Sequence, residues 1–155
     1  MPLLAAALLA AASASVARAA TIVDGLVIVR EDGTLSVGGT RVRLFGIYLP
    51  QLERTCRTSI RPPVCAPKAV LVLVDKVDGF VRCEIVRRGP DGVAEGICGQ
   101  RGRDPFAPRE DIGAFLVQEG FALAAPEAPP EYFALERLAE SRELGLWGNK
   151  FLNFR

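Results

Sequence analysis

The 155-residue chain contains no histidine. That one absence excludes the Ser-His-Asp and Cys-His arrangements of nucleophilic catalysis and the histidine-containing zinc sites. Charge of one sign is lacking too. With 19 Lys and Arg against 18 Asp and Glu, the chain has no basic surplus of the kind that nucleic-acid binders carry. After residue 14 there is no apolar run long enough to cross a bilayer. No Cys-x-x-Cys pair, phosphate-cradling glycine loop or dinucleotide fingerprint occurs. Internal repeats are absent, and the only low-complexity tract is at the N-terminus.

That tract reads as an export signal. Met1 to Ala14 is an almost unbroken Ala/Leu run, and Ala17-Arg18-Ala19 fits the small-x-small cleavage rule. Residues 1–19 are therefore expected to be a signal peptide, and residues 20–155 a single domain in the periplasm or outside the cell. A retained membrane anchor is the alternative, since no Lys or Arg precedes the apolar run. Cleavage after Ala19 leaves 136 of the 155 residues, with 18 basic and 18 acidic side chains. Those charges are unevenly spread: residues 20–105 hold 13 Lys/Arg against 10 Asp/Glu, and residues 106–155 hold 5 against 8. A bias this small suits a solvated surface better than a phosphate track.

Four cysteines, Cys56, Cys65, Cys83 and Cys98, accompany the export signal. An even count in an oxidising compartment predicts disulfides, and four cysteines allow three pairings. The local pairs are the simplest. Cys56 with Cys65 would close a Pro-rich loop, and Cys83 with Cys98 would join two strands, 80–86 and 93–98, across the turn 88–92.

Leu26 to Gln51 reads as strand, Asp-Gly turn, strand, Gly-Gly turn, strand. Val27, Val29, Leu35, Val37, Val42, Leu44 and Ile47 fall at near-alternate positions, while Asp32-Gly33 and Gly38-Gly39 tolerate positive φ. Ala66 to Val77 fits either a strand or a buried helix starting after Pro67. Asp111 to Glu119 predicts a short helix with Ile112, Phe115 and Leu116 on one side, stopped by Gly120. A short strand follows at 121–124. Glu131 to Leu144 predicts a helix with Leu135, Leu138 and Ala139 inward, and Trp147 and Phe151 are expected to pack the tail back onto the domain.

The run from Thr34 to Ile47, TLSVGGTRVRLFGI, resembles the first half of a staphylococcal-nuclease-like (thermonuclease) domain. Cys65-Ala66-Pro67-Lys68-Ala69 resembles the start of that family's first helix, and Asp111 to Ala122 its second helix and following strand. Ala139 to Trp147 resembles its last helix and Leu-Trp ending. The resemblance implies a mainly β fold, an OB-fold-like five-stranded barrel with three helices, and turns the ambiguous 66–77 segment into a helix. It also implies phosphodiester cleavage with one calcium ion, two aspartates as metal ligands, a glutamate as general base and two arginines on the phosphate.

Most of those positions are changed here. The family's Asp-Gly-Asp-Thr-Leu stands as Glu31-Asp32-Gly33-Thr34-Leu35, with Gly33 where the first metal aspartate belongs. Its Asp-x-Pro-Glu stands as Tyr48-Leu49-Pro50-Gln51, so Tyr48 replaces the second aspartate and Gln51 the glutamate. Leu49 holds the position of a backbone-carbonyl metal contact. The second arginine is replaced by Val93 in one register and by Asp91 in another; Arg43 alone is retained. A neutral amide cannot take a proton from water, and a tyrosine with its usual pKa of about 10 is a poor calcium ligand.

These losses predict an inactive domain without a cofactor, using its barrel face or old cleft to bind a protein, peptide or anionic ligand. Nucleic acid is the weaker possibility. The alternative is a calcium-dependent phosphodiesterase acting on DNA or RNA with relocated ligands, for which Asp32, Glu31 and Arg43 are the candidates. A disulfide-stabilised envelope protein with a purely structural role is a third. Arg43 is expected either to hold an anion or to pair with a carboxylate such as Glu53.

Overall fold

The structure, a computed structural model, describes residues 20–50, 54–57, 64–102 and 106–148, with backbone alone at 54–57, 64 and 65. The expected signal peptide, Gln51, Glu53 and Phe151 lie outside the described residues.

In chain order the strands are β1 (Thr21–Val29), β2 (Leu35–Val37), β3 (Thr40–Leu44), β4 (Ile47–Tyr48), β5 (Arg54–Arg57) and β6 (Val64–Pro67). Helix α1 (Lys68–Lys76) follows, then β7 (Phe80–Arg88), β8 (Ala94–Gln100) and β9 (Glu110–Asp111). Helix α2 (Ile112–Gln118), β10 (Leu123–Ala124), α3 (Pro130–Ser141) and a single 3-10 turn (Gly145–Trp147) complete the described chain.

Strand β1 is long enough to serve two partners. Thr21 to Leu26 pair antiparallel with β7, and Val27 to Val29 pair with β2. The meander continues from β2 to β3, and β7 continues to β8. A parallel ladder between β3 and β8, Val42↔Ala94 to Leu44↔Gly96, then joins the two ends of the sheet. Five strands thus close into a mixed barrel with three helices, an OB-fold-like architecture, and closure removes the sheet edges that would otherwise invite aggregation.

The period-two pattern decides which side chains fill the barrel. Leu35, Val37, Val42, Leu44, Val81, Cys83, Ala94 and Cys98 all point inward and are buried. Cys83 and Cys98 are Cα partners in adjacent strands and form a disulfide inside this core. The backbone register of β5 and β6 likewise places Cys56 opposite Cys65, so the loop between them is flanked by a short hairpin.

Helix α1 begins directly after Pro67 and lays Leu73 against the barrel core, joined there by Val77 just past its end, so burial overrides the strand propensity of its Val/Leu run. Helix α2 is capped by Asp111, whose carboxylate accepts the Ala114 N–H at 3.1 Å. The same carboxylate accepts the Tyr132 hydroxyl at 2.8 and 2.9 Å. Burial, and then the neighbouring Asp111 charge, push the Tyr132 phenol well above its ordinary value.

Helix α3 departs from expectation in two ways. It ends at Ser141, because Glu143 takes a left-handed φ of 53° and breaks the helical path before Gly145. Its buried contacts come from Tyr132 and Ala139, while Leu138 is exposed. A phenol hydrogen-bonded to a neighbouring helix cap can be buried, and Tyr132 then carries the apolar contact expected of Leu138. After α3 the chain returns to α2, where the Leu146 N–H donates to the Gly120 carbonyl at 2.8 Å. Trp147 is half-buried there. Among the described residues no helix is long and apolar enough to cross a membrane.

Candidate functional site

Two hairpin turns of the same construction frame one side of the barrel. In the turn between β1 and β2, the Arg30 N–H donates to Thr34 and the Gly33 N–H to Arg30. In the turn between β7 and β8, the Gly89 N–H donates to Val93 and the Gly92 N–H to Gly89. Each has a left-handed glycine, Gly33 at φ 80° and Gly92 at φ 76°, where a side chain would be strained.

Each also has an aspartate just before that glycine. Asp32 accepts the Thr34 N–H at 3.0 Å and the Thr34 hydroxyl at 2.7 Å; Asp91 accepts the Val93 N–H at 3.1 Å. The free side of each carboxylate then takes an arginine from β3. Asp32 binds Arg41, and Asp91 binds Arg43 with Nη2 to Oδ2 at 2.6 Å. Arg41 and Arg43 are two residues apart on one strand and so share a face, which places them one against each turn.

Arg43 has a second partner. It faces Glu95 across the parallel β3–β8 ladder, and its Nη1 lies 3.4 Å from that carboxylate. The other oxygen of Glu95 accepts from Arg87 Nε at 2.7 Å, and Arg87 Nη2 reaches Glu127 at 2.5 Å. Arg87 also lies over the Phe45 ring, 5.2 Å from its centroid. A chain of alternating charge thus runs Asp91, Arg43, Glu95, Arg87, Glu127. Its members shift accordingly. Hydrogen bonding to Asp91 raises Arg43, and that to Glu95 and Glu127 raises Arg87. Arg43 holds Asp91, and Arg87 holds Glu127, below the usual carboxylate range. At Asp32, burial pushes upward, but the bonds from Thr34 and Arg41 outweigh it and leave the carboxyl lowered.

A pocket of about 190 Å³ opens beside these groups, lined by Asp32, Gly33, Arg43, Leu44, Ile47, Tyr48 and Leu49. Tyr48 is placed there by the pairing of β4 with β10, where it stands opposite Leu123 and remains exposed. Gly33, Arg43 and Tyr48 are therefore neighbours around one space. Val93 lies outside that lining, and Glu31 does not contribute to it. A Cβ on Gly33 would come within 2.5 Å of Leu49 Cδ1, so Leu49 fills the direction a side chain at 33 would take.

No family model and no curated protein matches this chain. The donors around the pocket must then be judged on their own chemistry. Calcium takes six to eight oxygen ligands, including carboxylates free to coordinate it. Here Asp32 lends both oxygens to Thr34 and Arg41, and Asp91 and Glu95 are turned onto Arg43. No group of three or more Asp, Glu, Cys or His side chains suited to a metal occurs among the described residues. The set does not fit a calcium ion.

The carboxylate pairing expected of Arg43 is present: its partners are Asp91 and Glu95, 48 and 52 residues away, while Glu53 lies outside the described residues. The Arg43 side chain is 40% exposed, so desolvation does not compel the pairing. Sequence reasoning missed Asp91, Glu95, Arg87 and Glu127 as a network. A signal did exist for the first, since Glu31-Asp32-Gly33-Thr34 and Pro90-Asp91-Gly92-Val93 repeat the same turn chemistry.

Proposed function

We propose that this chain is an exported thermonuclease-like domain that does not cleave phosphodiesters and works as a binding module for a protein, peptide or anionic ligand. One observation carries this: the acidic groups around the pocket are spent on arginines of the same chain. Asp32 neutralises Arg41, while Asp91 and Glu95 neutralise Arg43. In the register that aligns the hairpins on Val93-Ala94, Asp91 occupies the position of the family's second phosphate-binding arginine. A charge that should attract phosphate is replaced there by one that competes with it.

What remains at the cleft suits a side chain better than a nucleotide. The pocket is small, and its lining combines buried Leu44 and half-buried Ile47 and Leu49 with the more exposed Tyr48 and Arg43. Tyrosine and arginine are enriched among residues that dominate protein interfaces. An anionic ligand is accommodated only if it displaces Asp91 from Arg43; the Asp91 side chain is half-exposed, so the ion pair that must be broken is a weak one.

The test is a nuclease assay with calcium, run on the exported protein beside a variant carrying Gly33→Asp, Tyr48→Asp, Gln51→Glu and Val93→Arg. The wild type is expected to be inert, and calorimetry to show no tight calcium binding. Loss of the general base and one phosphate donor accounts for about 10⁴-fold or more of lost rate. Calcium-dependent, chelator-sensitive cleavage by the wild type that Arg43→Ala abolishes would remove the proposal in favour of a phosphodiesterase with relocated ligands.

A further inference from the structure

The outer face of the barrel where β1 meets β7 is apolar at one end and charged at its centre, and no part of the cleft contributes to it. Leu26 is 64% exposed, Ile28 69% and Phe80 71%. Leu26 and Phe80 are Cα partners, and Ile28 is the next outward residue on β1, so the three form one patch. Contiguous apolar surface of this kind on a closed barrel marks an interaction site more often than chance. One row further along the same two strands, Asp24 and Arg82 are also Cα partners, and both are exposed.

Among the described residues those two charges stand side by side without an ion pair, whereas Arg41, Arg43, Lys76 and Arg87 each have one. Opposite charges in one cross-strand row have a particular property under twofold symmetry. An axis parallel to the strands and midway between β1 and β7 lays β1 of one protomer over β7 of the other. Asp24 then meets Arg82 of the partner subunit, and Leu26 meets Phe80 of the partner subunit, each contact occurring twice. Ile22 falls over the partner's Glu84 at the rim, where the carboxylate still reaches water.

We propose that this face is the interface of a homodimer, with the Asp24–Arg82 row as its self-complementary centre and Leu26, Ile28 and Phe80 as its apolar anchor. A second copy is favoured over another partner because the row is complementary to itself. Burial of the apolar group supplies attraction, and the doubled charge pair fixes register and rejects the alternative in which β1 stacks on β1 and Asp24 on Asp24.

The test is sedimentation equilibrium on the exported, oxidised protein. A concentration-dependent monomer–dimer equilibrium is expected. Asp24→Arg and Arg82→Asp should each weaken the dimer at least about tenfold, and the double variant should bring it back close to the wild-type constant. Both positions are exposed, so unchanged thermal unfolding of the single variants, compared at concentrations where the wild type is monomeric, separates lost association from lost folding. A protein that is monomeric up to about 1 mM overturns the proposal. So does a dimer that ignores both reversals, one that the double variant fails to restore, or a monomer that instead captures an apolar peptide at Phe80.

Discussion

At the residue scale, Asp32 and Asp91 do the same work in two turns, each completing its own loop and neutralising an arginine of β3. Their carboxyls, like that of Glu127, are held below the ordinary value, so the folded state binds protons less readily than the unfolded chain. The stabilisation is therefore complete above the unfolded carboxylate pKa of about 4 and is lost as pH falls through the lower folded values. Urea unfolding between about pH 6 and pH 2.5 should show that loss. An Asp32→Asn, Asp91→Asn variant keeps the acceptors that build the turns but should flatten the acid limb; an unchanged slope would show that the pairs are not responsible.

Glycine 113 supplies a residue whose substitution should run against its propensity. Replacing a helical glycine by alanine ordinarily stabilises by about 1 kcal/mol. Here the added Cβ would sit 2.7 Å from the Tyr132 hydroxyl, which is already held by Asp111. Gly113→Ala is expected to destabilise the protein by about 1–3 kcal/mol, read from the shift in the urea midpoint.

At the element scale, the hairpins were the most legible part of the sequence. Alternation of Val27, Val29, Leu35, Val37, Val42 and Leu44 is a local pattern, and left-handed glycines mark its turns, so strands and register follow from a short window. Helix α1 was ambiguous in its own residues, because a buried run of Val and Leu carries no periodicity; the resemblance pointed to a helix, and Lys68–Lys76 forms one. The end of α3 follows from the left-handed Glu143, and the choice of Tyr132 over Leu138 depended on Asp111, 21 residues away. Arg43 was legible as a position but its partners were not, since Asp91 and Glu95 reach it only through barrel closure. The disulfide between β7 and β8 belongs to this scale too. It spans 15 residues, for which lost chain entropy corresponds to about 3 kcal/mol. Replacing both Cys83 and Cys98 by Ala should lower the unfolding free energy by roughly that much, and an effect below about 1 kcal/mol would mean that packing alone holds the hairpin.

At the scale of the whole molecule, the fold and the cleft place different demands on the chain. The barrel core is formed by inward residues, and the charge network stands on outward strand positions and the adjoining loops, with Glu95 buried among its arginines. Outward residues can thus be substituted without disturbing the core. For the proposed function, the nuclease assay on the fourfold variant meets an obstacle at Leu49, which fills the space a side chain at 33 would need.

The parallel ladder between β3 and β8 has a kinetic consequence. Val42 and Ala94 meet across about 50 residues of intervening chain, so this seam cannot form from neighbouring segments and must wait for a large loop to close. The cystine lies within a single hairpin and shortens that loop only slightly. Val42→Ala should therefore slow refolding by most of its effect on stability, about 2 kcal/mol in total, while the cystine variant should chiefly hasten unfolding. Stopped-flow rates for the two variants separate the seam that sets the speed of assembly from the clasp that sets its lifetime.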